Sequence, residues 1–317
     1  MTFPSVSIII AVKRNNPFLE ESIANCLKLD YPFYEIIVLP DDMIGVYNDT
    51  RIKVIPTGNT LPAAKRDIGA ENASGEILAF LDDDTYPVAE WLKQAVLNFK
   101  DDSIACVAGP AVTPPSEPLL NKASGLVFES FIVSGPARFR YVPLKKRFTD
   151  DFPSCNFFIR KDVFQKIGGF KTKFWPGEDT ILCLEVVHNL KKKIIYDPLV
   201  LVYHHRRSLF VKHLRQVASY ALHRGYFLKR YPKTSLKLGY FAPSAIVLGL
   251  LISLLAAIAL SSKFLYIWLA YFLIVLVFSL NKDIRLLFYI FAGTILTHFT
   301  YGINFIKGIL AGKLKEE

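Results

Sequence analysis

Short apolar runs alternate with helical repeats through the first two hundred residues, and then the alternation stops. Ser5–Val12 is a continuous, Ile-rich run that suits a parallel strand buried on both faces. Pro17–Leu29 follows, with Phe18, Leu19, Ile23 and Leu27 at helical spacing. Glu35–Leu39 and Ile52–Ile55 predict strands, and Leu61–Ala73 predicts a helix with Pro62 at its start. Ile77–Leu81 predicts a strand, Val88–Phe99 a helix and Ile104–Gly109 a strand. This βαβ alternation implies an α/β domain on a doubly wound parallel sheet. Such sheets bind ligands beyond the carboxyl ends of their strands.

From Phe241 onward the chain is almost continuously apolar. The runs are Phe241–Leu260, Phe264–Leu280 and Leu286–Ile306, each close to the ~17–25 residues that cross a bilayer. The organisation expected is a catalytic-type α/β domain over 1–205, a basic juxtamembrane segment over 206–239 and a helical membrane anchor over 240–317. The third run carries His298, Thr300, Tyr301, Gly302 and Asn304. It reads either as a third span or as a helix partly in the interface. Lys282 and Arg285 favour the cytoplasmic side for the second short loop. That places the N-terminal domain on the cytoplasmic face of the plasma membrane and suits two spans. A third full span would put Lys313 and Lys315 outside. The N-terminal apolar run is short and followed, not preceded, by Lys13 and Arg14, which is not a signal-peptide pattern.

The 317 residues are 52% hydrophobic with mean hydropathy +0.30, which excludes a disordered chain. The four cysteines are far apart and form no Cys-x-x-Cys pair, so they read as buried thiols. Net charge is +10, and its position matters more than its size. Between His204 and Lys237 there are nine Lys and Arg and no Asp or Glu, interleaved with Phe210, Leu214, Val217, Tyr220 and Phe227. A basic amphipathic helix beside a membrane explains this charge by contact with anionic lipid headgroups, and no nucleic-acid partner is needed.

The candidate chemistry centres on Asp82-Asp83-Asp84, directly after the Ile77–Leu81 run. Three adjacent carboxylates repel one another unless a cation or donors offset them. Asp82 and Asp84 lie two residues apart and can face one cleft. A hard divalent ion holding a diphosphate would suit them, and an acidic turn near Pro87 is the plainer reading. Around them lie Ala64-Lys65-Arg66-Asp67, Ala73-Ser74-Gly75-Glu76, Gly168-Gly169-Phe170 and Trp175-Pro176-Gly177-Glu178-Asp179.

In this order and spacing the chain, from Ser5 to about Tyr231, resembles family 2 glycosyltransferases of the GT-A fold in membrane-anchored form. The resemblance implies a Rossmann-like nucleotide-diphospho-sugar transferase domain followed by a C-terminal transmembrane anchor. It implies that Ala11, Val12 and Lys13 border the nucleotide base, and that Asp41 or Asp42 bonds the base or ribose. Here Leu-Pro-Asp-Asp stands where the family often has Val-Asp-Asp-Gly-Ser, so the equivalent Asp is open, with Asp41 preferred. It further implies that Lys65 and Arg66 face the nucleotide and its phosphates. Asp82, with Asp83, would contact the donor, and Asp84 would bind Mg²⁺ or Mn²⁺. Asp179, beside Glu178, would be the general base that deprotonates an acceptor hydroxyl. Asn156 and Trp175 would border the acceptor. His204 would lie near the metal, and Arg206 and Arg207 near phosphates.

The function expected is inverting, metal-dependent transfer of a sugar from a nucleotide-sugar donor to a hydroxyl of a lipid-linked or membrane-associated glycan. A polyprenyl-phosphate acceptor, already anionic, has less need of Glu178-Asp179. A non-catalytic scaffold has no need of the acidic pair. A processive synthase is disfavoured, since its Gln-x-x-Arg-Trp signature is missing.

Overall fold

The computed structural model describes residues 3–316. In chain order it forms β1 (Val6–Ala11), α1 (Pro17–Cys26), β2 (Tyr34–Leu39), β3 (Ile52–Val54), α2 (Pro62–Glu71), β4 (Ile77–Asp82), β5 (Thr85–Pro87) and α3 (Trp91–Leu97). There follow β6 (Ile104–Ala108), β7 (Ala111–Val112), α4 (Leu119–Glu129), α5 (Phe131–Ser134), β8 (Arg147–Thr149), β9 (Asn156–Arg160), α6 (Lys161–Ile167) and α7 (Glu178–Leu184). The last elements are β10 (Lys193–Tyr196), β11 (Val202–His204), α8 (Val211–Arg230), α9 (Pro232–Ser235), α10 (Leu238–Ala259), α11 (Tyr266–Ser279) and α12 (Ile284–Leu310).

The chain divides into two compact units. Among the described residues, one comprises 3–112 and 142–205 with Glu316, and the other 113–141 and 206–315. The stretch 113–141, assigned by sequence to the first domain, therefore belongs with the helices. Its apolar side explains why: Ala123 and Val127 of α4 are buried in one cluster with Leu209, Leu286 and Ile290.

The first unit is built on an eight-stranded sheet of order β3-β2-β1-β4-β9-β6-β10-β8. β1 pairs parallel with β2 and β4, in a register that sets Ala11 beside Leu39 and Asp82. The carboxyl ends of three strands thus meet at one edge. The sheet is not wholly parallel, because β9 runs antiparallel to both β4 and β6. β9 is buried on both faces like its neighbours, so its side-chain pattern carries no sign of direction. A second sheet, β5-β11-β7, sets His204 opposite Thr85.

A buried carboxylate fastens β1, β2 and the turn before β4. Glu35 accepts bonds from the Ser7 hydroxyl at 2.7 Å and from the Ser74 N–H and hydroxyl at 2.6 Å, and pairs with Lys53 at 2.6 Å. Burial pushes its pKa up, but the Lys53, Ser74 and Ser7 bonds outweigh that and hold it down at about 2.

In the second unit three helical stretches, Leu238–Ala259, Ser262–Ser279 and Ile284–Leu310, are long and apolar enough to cross a membrane. α8 is the basic helix expected. Its apolar side, however, is occupied by protein rather than left for lipid: Val217, Ala221, Gly225 and Tyr226 are buried, and Gly225 meets α12 backbone. A Cβ on Gly225 would lie 2.1 Å from the Phe305 carbonyl oxygen, and one on Gly308 would lie 2.1 Å from that of Leu222. Backbone against backbone leaves no rotamer by which a larger residue could escape.

Gly308→Val is expected to lower the thermal midpoint in detergent by several degrees, matching an overpacking cost of at least about 1–3 kcal/mol. Gly249→Ala, where nothing lies within 4 Å, is the neutral control; equal midpoints for the two variants would contradict the close crossing. Glu35→Gln is expected to lose about 1–3 kcal/mol at pH 7, the worth of bonds to a charged acceptor. A depressed carboxyl stabilises above its ordinary pKa and loses that contribution as pH falls towards its folded value. The gap between wild type and variant should therefore shrink from pH 5 down towards the folded value of about 2.

Candidate active site at the carboxyl ends of the strands

The acidic run is split by strand geometry. Asp82 ends β4 and Asp84 precedes β5. One ligand atom each from Asp82, Asp84 and His204 lies within 4.8 Å of the others. The β11–β5 pairing delivers His204, whose Nε2 is 3.2 Å from an Asp84 oxygen. Asp83 turns the other way and accepts a 2.7 Å bond from the Asn16 amide, which also caps α1. Burial, then Asp84, raises the Asp83 carboxyl to about 6. Sequence reasoning assigned nothing to Asn16; its place before Pro17 marks the cap but not the reach to Asp83. His205, next after His204, points away and meets Glu21 at 2.7 Å.

Two carboxylates and an imidazole, partly open to solvent, are the oxygen and nitrogen donors that Mg²⁺ or Mn²⁺ takes alongside phosphate oxygens. The donor set fits such an ion, with Asp82 joining Asp84 and His204.

Lys65 and Arg66 lie on α2 and are only 3% and 4% exposed, so neither belongs to a solvated helix face. The Lys65 ammonium donates to the Val12 carbonyl at 2.7 Å and to the Leu39 carbonyl at 3.2 Å, and pairs with Asp41. It ties the ends of β1 and β2 together and orients Asp41. Asp42 is exposed, which separates the two candidates. Ala11 and Val12 lie at this strand edge, and Lys13 is exposed beyond it, its carbonyl accepting from the Asp41 N–H at 3.0 Å.

Arg66 reaches the other way. One guanidinium nitrogen bonds Asp82 at 2.7 Å and another bonds Glu178 at 3.0 Å. Burial opposes its charge, but Asp82 and Glu178 outweigh that and raise its pKa. Its local neighbour Asp67 is not its partner. Asp67 accepts the Phe170 N–H at 3.0 Å and fills the space at Gly169, where φ is +80° and a Cβ would lie 2.4 Å from the carboxylate. The Gly-Gly-Phe stretch is thus held by α2, and burial raises Asp67 to about 6 against the Phe170 bond.

Glu178 is buried, and its second oxygen accepts the Gly177 N–H at 3.0 Å. Asp179 is half-buried and accepts N–H bonds from Thr180 at 2.8 Å and Ser154 at 3.3 Å. The pair therefore divides, Glu178 towards Arg66 and Asp179 towards Ser154.

Asn156 does not join this group as an acceptor contact. It is fully buried, donates to the Val200 and Pro110 carbonyls at 2.8 and 3.3 Å, and accepts the Trp91 indole N–H at 2.9 Å. It stitches β9 to two loops. Trp175 is 51% exposed. Arg206 and Arg207 fall in the second unit. There Arg206 is buried over the Tyr141 ring, with its Nε on Thr113 at 3.2 Å, and Arg207 is exposed.

A carboxylate-rich site beyond the strand ends of a mixed α/β sheet is the arrangement of a nucleotide-sugar transferase fold. The chain matches the family described as Glycosyl transferase family 2 over residues 7–168, just over half its length, and belongs to that family. It is 26% identical over 213 residues to a pre-mycofactocin glycosyltransferase of Mycobacterium tuberculosis (strain CDC 1551 / Oshkosh), covering 64% of this chain and 43% of that protein. It is 25% identical over 194 residues to the glycosyltransferase AglE of Haloferax volcanii, covering 56% of this chain and 60% of the relative. The chain thus spans less than half of the mycobacterial protein. Among solved structures, a mannosyltransferase of Pyrobaculum calidifontis in complex with GDP-Man and Mn²⁺ superposes with a TM-score of 0.67 at 16% identity, over 99% of this chain and 89% of that one. That likeness shows the GT-A fold alone.

Arg66→Gln is expected to destabilise the protein by about 3–5 kcal/mol, since it leaves a buried carboxylate without its cation. Adding Glu178→Gln should recover part of the loss. A double-mutant cycle on thermal midpoints reads this, and strict additivity would show that the two do not interact.

Proposed function

We propose that this chain transfers a sugar from a nucleoside-diphosphate donor to a hydroxyl of a lipid-linked or membrane-associated glycan, with inversion at the anomeric carbon. The observation that carries the reading is the convergence of Asp82, Asp84 and His204 beside the Arg66–Glu178 pair. The fold neighbour bound to GDP-Man and Mn²⁺ supports the donor class.

Asp82, Asp84 and His204 would hold Mg²⁺ or Mn²⁺, whose chemistry is to offset the negative charge on the departing nucleoside diphosphate. Arg66 holds Asp82 in place through a 2.7 Å ion pair, which would pre-set its position for the donor. Asp41, oriented by Lys65, lies at the strand edge where a base or ribose would be read. Lys65 itself acts through Asp41 rather than on phosphate, because its ammonium is already shared among three oxygens.

Of the acidic pair, Asp179 takes the proton from the acceptor hydroxyl. Glu178 is buried and spoken for by Arg66, whereas Asp179 is partly open to solvent. A single displacement on the face opposite the leaving group inverts the anomeric centre. The orientation proposed puts the first unit on the cytoplasmic face of the plasma membrane, with Lys282 and Arg285 on the same side.

The test is release of nucleoside diphosphate from a panel of nucleotide sugars by detergent-solubilised protein, with Mn²⁺, Mg²⁺ or EDTA. One donor should turn over with metal and stop with EDTA. Asp84→Asn should weaken metal-dependent donor binding and cut turnover at least 100-fold. Asp179→Asn should keep donor binding and slow transfer about 10²–10⁴-fold, the usual worth of a general base. Wild-type transfer rates in Asp179→Asn would refute the base assignment, and transfer to polyprenyl phosphate alone would replace the hydroxyl acceptor.

A further inference from the structure

The second unit contains three apolar helices, yet they are not equivalent. α12 runs beside α8, and the contacts keep one offset along both. His213 Nε2 lies 2.9 Å from the Thr297 hydroxyl. Gly225 meets Phe305 and Gly308, and Gly308 meets Leu222 and Tyr226. Lys229 donates to the Ala311 carbonyl at 2.6 Å. Partners stay about 80–90 positions apart throughout, so the helices are parallel and in register. From residue 213 to 229 they stay side by side for about 24 Å at 1.5 Å per residue.

α8 is not a membrane helix. It carries Lys212, Arg215, Arg224, Lys229 and Arg230 with no Asp or Glu, and all but Arg224 are exposed. If α12 crossed the hydrocarbon layer, α8 would run at the same depth and carry these cations with it. α10 and α11 show the opposite character. Around their connection Leu251, Ile252, Leu255, Ile258, Phe264 and Ile267 are exposed. Their buried residues sit against α12 instead: Ser244 bonds the Gly302 carbonyl at 2.9 Å, and Tyr271 bonds His298 at 3.1 Å.

We infer that only α10 and α11 enter the hydrocarbon, as a hairpin, and that α12 lies in the plane of the interface, bound along α8. The surface presented to the bilayer is then an apolar hairpin rising from a two-helix shelf edged by the α8 cations. The partner is a lipid bilayer with anionic headgroups. The hairpin returns the chain to the side from which it set out, so residues before Leu238 and residues after Leu310 share one side. This goes beyond the proposed transferase activity and rests only on the reading that these helices meet a membrane.

The test is labelling of single introduced cysteines in sealed membrane vesicles of known orientation with a membrane-impermeant maleimide. Lys233→Cys in α9, Ser262→Cys at the hairpin tip and Lys315→Cys near the chain end are all changes at positions without buried packing. The native thiols Cys26, Cys106, Cys155 and Cys183 are buried and should stay silent. Lys233→Cys and Lys315→Cys should label from the same side, at comparable rates, and Ser262→Cys should not label from that side. Labelling of Lys315→Cys from the opposite face to Lys233→Cys would overturn the inference and make α12 a third span, leaving the membrane reading intact. Release of the full chain from vesicles by alkaline carbonate would overturn the hairpin and the membrane reading together.

Discussion

The candidate site depends on one buried guanidinium. Arg66 stands between Asp82, at the end of a sheet strand, and Glu178, at the start of a helix more than a hundred residues on. Glu178 alone would be costly to hold away from water, and it is tolerated because the cation that fixes Asp82 also serves it. A planar, forked group can do this where a point charge cannot. Phe170 lies under that guanidinium, its ring centroid 5.7 Å away, and Phe170 is itself held through Asp67. One turn of α2 therefore fixes three separated pieces of chain: the strand end, the Gly-Gly-Phe loop and the acidic helix start. The neighbouring Lys65 does the same for β1, β2 and Asp41.

The alternation of elements was readable because the strands that begin the sheet are continuous apolar runs and the helices between them repeat at helical spacing. β1, β2, β4 and β6 fall within a residue or two of where the pattern puts them. The direction of β9 was not readable, since a strand buried on both faces looks the same either way. Nor was the destination of 113–141, whose apolar side finds its partners only after residue 205. Among site residues, the spacing of Asp82 and Asp84 was informative. The work of Lys65 and Arg66 was not, because a Lys-Arg-Asp triplet on a helix looks solvated until tertiary contacts bury it. Asn156 shows the converse. A polar residue leading an apolar strand suggests a binding contact, but here both amide donors and the amide oxygen are engaged inside the fold.

The helical half follows a different constraint. Its helices pack where small residues let backbones approach closely. Gly225, Gly302 and Gly308 serve this purpose at the contacts of α12. Two buried histidines there each sit between two partners: His213 between Ser124 and Thr297, His298 between Tyr271 and the Ile132 carbonyl. Burial, with Arg206 nearby, lowers His213 to about 4, so its imidazole is neutral at physiological pH and adds no charge to this interior.

That α4 packs on α12 also sets a timetable for synthesis. Ala123 and Val127 leave the ribosome about 160 residues before α12, which helps cover them, begins. At about 5–20 residues per second this leaves their apolar side bare for on the order of 10 to 30 s. A fragment cut at His205 to obtain a soluble piece would leave it bare permanently. The natural boundary for dissecting this protein is therefore not a single point along the chain, and excising the helical half means removing two segments and rejoining Val112 to Val142.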